Sequence, residues 1–533
     1  MALLRWRGHL KLPLGDLMNS SFAFYVAVVS MPALGDPVGA PPRCYLTTVN
    51  ALKVADCQGQ GHRAVPETDP SVQVLLLNFN SFSVLLGSSF PRLESLAFLS
   101  LGKQRTGSLL LGERAFQNVP NITFLDLGGN GNLTLHPGAF RGLSKLEVLL
   151  LDVNGFGDEV LENGYFRDLV SLKRLDLSGN RIRRLRPDPS FRGLGALSIL
   201  QLRLNRIQAI CGDDLGPLGG RRSALLDLSS NPLRDQPACG HPFRNLTLGT
   251  LDISGNPWNV GEAERFFAKL NGTRIRHLKV RHSGAVGSGF GFRNLKDLSA
   301  STFSGLRHAG VVSLDLSHGF LNELVPSAFS GLPDLNLLLL RAHEISRIRP
   351  GAFVGLNKLR VLDLSHNLLG EIYREALESL KSLNLSSNAL RTLPGALFQT
   401  LVSLQVLDLS SNLLSELPDQ AFHALRSLRT LSVRGNPLLT LSPAPFAALE
   451  GLRSLDLRDV SLICDCRLWD FQLWVDEKAT GLSEGEAMLS WVQPHPSFRR
   501  LSLPAFLKSH CLPPSPKASG LISPSREGEM KMI

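Results

Sequence analysis

The sequence predicts an α/β solenoid closed by a disulfide-bonded cap at each end, and three observations predict it. A leucine pattern recurs every two dozen residues or so along most of the 533-residue chain. Phenylalanine, at 27 residues, far outnumbers tyrosine (4) and tryptophan (5). The seven cysteines fall in three groups, two of which flank the pattern. Self-similar units of this length supply one another's core, so the two ends of the array need covers.

The unit is LxxLxLxxN followed by a loop carrying xxFxxL. Clear copies are LKRLDLSGN (172–180), LRVLDLSHN (359–367) and LQVLDLSSN (404–412). The first leucine of each LxL falls at 75, 99, 125, 149, 175, 200, 226, 251, 278, 314, 338, 362, 383, 407, 431 and 455, sixteen copies in all. This is the leucine-rich repeat, which stacks into a horseshoe. Alternate leucines of a short strand point into the core, and the residues between them face the open concave side. The asparagine ends the strand and satisfies backbone groups of the adjoining turn, so stacked copies form a ladder. The loop phenylalanines (Phe116, Phe140, Phe166, Phe191, Phe303, Phe329, Phe353 and Phe422) fill the outer side of the coil. The phenylalanine excess is therefore core. Two steps depart from the period: 36 residues from Leu278 to Leu314, and 21 from Leu362 to Leu383.

Residues 1–40 read as a cleaved signal peptide. Arg5, Arg7 and Lys11 precede the apolar run 22–29, small residues follow at Gly35, Gly39 and Ala40, and Met18 is an alternative start. Residues 41–70 form the N-terminal cap, where Cys44 and Cys57 bracket a hairpin. The repeats occupy 71–461 and the C-terminal cap 462–512, which opens as ICDCRLWDFQLWV and ends near Cys511. The polar tail 513–533 reads as disordered. Cys211 and Cys239 lie in adjacent repeat loops, where a bridge would staple them; two buried free thiols are the alternative. The cap cysteines lack the spacing of a zinc site, and no metal or other cofactor is expected. No later run is long and apolar enough for a membrane span. No GxSxG elbow, phosphate loop or HExxH appears, so an enzyme is not expected. Disulfides, the leader and five N-x-S/T sequons (Asn121, Asn132, Asn245, Asn271 and Asn384) together predict a secreted glycoprotein.

The net charge of +10 favours acidic partners, glycans or anionic surfaces without choosing one. Two basic runs stand out, Arg181–Arg186 and Arg274–His282. Each reads first as a solvated face. No aromatic residues are interleaved for base stacking, so nucleic acid is not expected.

The 36-residue step holds HSGAVGSGFGFRNLKDLSA (282–300). The stretches GYFRDLVSLKRLDLSGNRIRRL (164–185), HPFRNLTLGTLDISGNPW (241–258), VGSGFGFRNLKD (286–297) and LDLSHGF (314–320) together resemble the Toll-like receptor 5 family, the flagellin sensors. The likeness runs from about Cys44 to Leu369 and resumes more loosely toward the C-terminal cap. It implies that flagellin lies along one flank of the N-terminal half and that the long loop grips a flagellin arginine. The residues implied are Gly284, Val286, Gly287, Ser288, Gly289, Phe290, Gly291, Asn294 and Asp297, the last a carboxylate able to pair with arginine. Glycines there also serve ordinary turns, Phe292 reads as buried support, and Asp297 could be a simple loop acid. The CxC-started cap implies a Cys466–Cys511 bridge with Cys464 unpaired.

Three departures from the family follow. Repeats are missing between Leu369 and Leu401, one cap cysteine is absent, and no membrane helix or signalling domain follows the cap. The expected function is a soluble flagellin-binding adaptor or decoy for a membrane Toll-like receptor. A leucine-rich matrix or adhesion protein binding host proteins or acidic glycans, and a truncated product of a full receptor, are the alternatives.

Overall fold

Every one of the sixteen repeat leucines sits in a single in-register column. In the computed structural model, Leu75 pairs with Leu99, Leu99 with Leu125, and so on without slippage to Leu431 with Leu455. The structure describes residues 44–234, 239–282, 298–372, 377–395, 397–460, 462–463 and 468–480. The repeat strands, mostly of three residues, join an N-terminal hairpin in one 18-stranded sheet that is parallel throughout except for that hairpin. The two irregular steps do not break it. Leu278 pairs with Leu314, and Leu362 with Leu383.

The hairpin, Tyr45–Val49 and Leu52–Asp56, turns through Asn50 and Ala51, both at positive φ (50° and 67°). That pair of left-handed residues matches the twist of a two-residue β-turn. Its second strand pairs with Val74–Leu76, so the first coil is covered by chain already fixed to it. A disulfide joins Cys44 to Cys57 at the base of the hairpin, and a second joins Cys211 to Cys239. The expected Cys466–Cys511 bridge lies outside the described residues, as do the leader and the tail. The helix Trp469–Thr480 follows the last strand and brings Phe471 and Trp474 to 5.7 and 5.3 Å from Phe446.

The ladder is built as its chemistry requires. Asn180 donates from Nδ2 to the carbonyls of Leu151 (3.0 Å) and Leu177 (2.8 Å), and its Oδ1 accepts the N–H of Asn154 (3.0 Å). One carboxamide thus ties two coils together and leaves no polar atom of its own stranded. Asn130, Asn205, Asn231, Asn256, Asn367, Asn388, Asn412 and Asn436 likewise bond the carbonyls of their own turn and the one before. At one rung Gln104 substitutes, reaching Leu77 and Leu101 at 3.0 Å each.

On the outer side the phenylalanines stack in runs. Phe90, Phe116, Phe140, Phe166 and Phe191 follow one another at 5.8 to 6.3 Å, and Phe267, Phe303, Phe329 and Phe353 at 5.5 to 6.1 Å. The spine lapses at Leu215 and Leu377, both buried leucines. Few helices form there. The segment between one strand and the next is mostly spent on turns, so α-structure among the described residues is confined to Glu159–Glu162, Val260–Lys269 and Trp469–Thr480.

Candidate binding flank and the root of the long loop

Residue types alone do not explain the turn that leaves each strand. The residue before the ladder position, four after the first leucine, has positive φ at fifteen turns, from Phe79 (61°) to Asp459 (56°). Only four of these are glycines: Gly129, Gly179, Gly255 and Gly435. The remainder include Val153 (53°) and Leu204 (56°), residues for which this conformation is unfavourable by about 1–2 kcal/mol. The backbone is held there by bonds to the next coil, such as the N–H of Val153 on the carbonyl of Ser178 (2.9 Å). Side chains at these positions point outward along the edge where chain leaves the strands, here called the post-strand flank. Phe79, Val153 and Leu204 are exposed on it, and the Lys103 ammonium lies 5.7 Å from the Phe79 ring.

His282 is the exception to this column among the described residues. It is also the last residue described before the long loop. Its N–H donates to the carbonyl of Ser317 (3.2 Å), and its ring meets Phe320 edge-on at 5.2 Å. Partial burial, with His318 nearby, pushes its pKa down. On the far side Leu298 is buried, and Ser299 N–H bonds the hydroxyl of Thr302, itself fully buried. The expected loop residues Gly284, Val286, Gly287, Ser288, Gly289, Phe290, Gly291, Asn294 and Asp297, with Phe292, all lie outside the described residues.

The scaffold beneath this root is reinforced by a helix that leucine spacing does not reveal. Val260–Lys269 starts with a reciprocal cap: Asn259 Oδ1 accepts the N–H of Glu262, whose carboxylate accepts the N–H of Asn259, both at 2.9 Å. The N-x-x-E pattern at 259–262 was the available signal. Trp258 just before it is fully buried, and its indole N–H donates to the carbonyl of Leu233 (2.6 Å). The end of this helix packs on Gly305, where a Cβ would lie 2.5 Å from the Ala268 backbone. Only glycine lets the coil after the loop approach so closely.

The ladder changes character here. Gly319 and His343 occupy successive rungs, and the imidazole fills the space a side chain at Gly319 would need. The N–H of Leu321 donates to Nδ1 of His343 (3.2 Å), and burial pushes that histidine's pKa down to about 4. His318 and His366, by contrast, sit in the left-handed column.

Charge divides by face. On the concave side, burial raises the pKa of Asp126, which accepts from the Ser100 hydroxyl (2.7 Å), and raises that of Asp227. Burial, with Asp176 and Asp126 nearby, pushes Asp152 up to about 6. The C-terminal part of the second basic run is neutralised. Lys279 and Arg281 reach Asp252 at 4.0 and 3.7 Å, and Arg281 reaches Asp315 at 3.5 Å. Cys44, Cys57 and His62 converge closely enough to suggest metal ligation, but both sulfurs are consumed by the disulfide.

The sequons differ in setting. Asn132, Asn245 and Asn271 are exposed. Asn121 is half-buried between Lys145 Nζ (2.7 Å) and the carbonyl of Glu94 (2.8 Å). Asn384 is half-buried on the concave strand, where its Oδ1 accepts the N–H of Ser386 (3.0 Å). No helix among the described residues is long and apolar enough to cross a membrane.

A leucine-rich repeat family model matches residues 159–207, 309–369, 378–438 and 403–462. The chain is 40% identical over 288 residues to Toll-like receptor 5 of Homo sapiens, covering 53% of this chain and 33% of that protein. It is 40% identical over 279 residues to Toll-like receptor 5 of Mus musculus, covering 51% and 32%. The chain thus spans about a third of the length of these curated relatives. Among solved structures, a leucine-rich-repeat protein of Leptospira interrogans superposes with a TM-score of 0.47 at 22% identity, covering 76% of this chain and 90% of that one.

Proposed function

We propose that this chain, which resembles Toll-like receptor 5 over about half its length, is a secreted recognition protein that binds bacterial flagellin. The repeats and that similarity support a Toll-like receptor-related role in pattern recognition. Binding uses the post-strand flank of the N-terminal half together with the long loop, and involves no chemistry. The protein serves a membrane Toll-like receptor as a soluble adaptor or as a decoy. The disulfides support an extracellular setting, since thiols in the cytosol are kept reduced.

The observation that carries this reading is the in-register pairing of Leu278 with Leu314 across the long loop. An insertion that leaves its scaffold intact is free to serve a partner, and loops on rigid frames are where binding concentrates. The exposed apolar residues Phe79, Val153 and Leu204 on the same flank favour contact with a protein surface. The test is equilibrium binding of the purified chain to monomeric flagellin at physiological salt. Saturable binding is expected, and its absence overturns the proposal.

A further inference from the structure

The first basic run keeps most of its charge unpaired: among the described residues only Arg186 approaches an acid, Asp214 at 4.0 Å. In Arg181–Arg186 the apolar Ile182 and Leu185 are fully buried, while Arg181, Arg183, Arg184 and Arg186 face solvent. Arg183, Arg184 and Arg186 converge with Arg206 of the next coil around an open groove of about 710 Å³ on the post-strand flank. Between positions 181 and 206 there are seven arginines and a single acid, Asp188.

The acids within reach are spent on backbone. Asp188 accepts the N–H groups of Ser190 (2.8 Å) and Gly164 (3.0 Å). Asp158 accepts those of Arg183 (2.6 Å) and Arg184 (2.9 Å), holding the chain that displays the arginines. Asp214 accepts the N–H of Cys211 (2.9 Å) and approaches Arg186 only at 4.0 Å. Arg183, Arg184 and Arg206 therefore have no acidic partner among the described residues. The backbone beneath is tied to its neighbours at several points. Arg184 bridges to Ala209, the N–H of Arg206 bonds the carbonyl of Ile182 (2.8 Å), and the Cys211–Cys239 disulfide pins the next loop.

We propose that this groove is a binding site for a sulfated polysaccharide. Its guanidinium groups are separately exposed and span two coils, which suits a chain carrying repeated anions rather than one enclosed sulfate or phosphate. Planar forks able to grip an oxyanion with two donors favour sulfate recognition. No aromatic side chain lines the groove, so bases have nothing to stack on. The site lies beside Leu204 on the flank proposed for flagellin. Its bearing on where a secreted chain is retained rests on that proposed function, whereas heparin binding itself is read out without flagellin.

The experiment measures binding of a size-defined heparin oligosaccharide to the native chain, to an Arg183→Gln/Arg206→Gln variant, and to an Arg274→Gln/Arg276→Gln variant, each variant losing two charges. Exposed arginines of the second run are the control for net charge. The groove variant should lose about tenfold or more in affinity while the control stays within about twofold. Equal loss in both variants, no binding by the native chain, displacement by inorganic sulfate at matched ionic strength, or equal affinity for a single-stranded oligonucleotide of the same charge would each overturn the proposal. A second readout on the native chain guards against misfolding of the variant. Heparin should protect Arg183, Arg184 and Arg206 from an arginine-specific dicarbonyl reagent, and equal modification with and without heparin contradicts the site.

Discussion

Leu278 and Leu314 are neighbours on adjacent strands although 36 residues separate them in sequence. The coil joining them is longer than any other between repeat strands, and the column of leucines passes through it unchanged. The scaffold and the insertion are therefore separable, and consequences follow for each.

The ladder gives the first. Asn367 is buried and holds the carbonyls of Leu340 and Leu364 at 2.9 Å each while accepting the N–H of Ile345 at 3.1 Å. Asn367→Ala strands the Leu340 carbonyl and the Ile345 N–H, while Leu364 keeps its bond from Asn388 (3.0 Å), so the chain should lose about 2–3 kcal/mol. Thermal unfolding checks this, and a variant melting with the native chain would show that the ladder is dispensable.

The left-handed column gives the second, of opposite sign. Val153 is a β-branched, exposed residue at φ 53°, next to Gly179 in the following coil. Val153→Gly should raise stability by about 1 kcal/mol, because glycine adopts this conformation without steric cost. Gly179→Val should lower it, since its Cβ would lie 2.8 Å from Cγ2 of Val153.

The third concerns pH. Folded His343 has a pKa of about 4 against an ordinary value of 6.5. Between those values the unfolded chain binds a proton that the fold refuses. The stability at stake is complete above pH 6.5 and drains as pH falls toward 4, in total about 3 kcal/mol. Asp152, raised to about 6, works in the opposite sense, since folding favours its protonated form as pH falls. His343→Asn should therefore flatten or reverse the acid loss, and Asp152→Asn should steepen it. Melting temperatures between pH 4 and 7.5 check both signs.

Glycan occupancy gives the fourth. Enzymatic deglycosylation in heavy-oxygen water, read by mass spectrometry, should label the exposed Asn132, Asn245 and Asn271. Asn384 should be labelled least, because it is half-buried on the concave strand.

Much of this frame was legible in the sequence. The sixteen leucines, the asparagine rungs and the stacked phenylalanines report contacts that recur once per unit, so a repeated letter reveals a repeated environment. What escaped has no repeat to report it. The helix at 260–269 occurs once, and its signal is a local capping pattern. The exchange between Gly319 and His343 involves two residues that make sense only when adjacent coils are superposed. The left-handed column is occupied by residues as different as Phe79, Lys103 and Val153, because neighbouring coils impose the conformation. The Arg181–Arg186 run was visible, but its meeting with Arg206 across coils depends on register.

The most direct measurement is flagellin affinity of the native chain beside one lacking residues 284–297, with thermal melts of both. Because Leu278 and Leu314 hold the same register as every other repeat pair, the melts should agree within about 4 °C. Affinity should fall by about tenfold or more in the shortened chain. Equal affinity in the two chains, or no affinity in the native one, would contradict a flagellin-binding role for the loop.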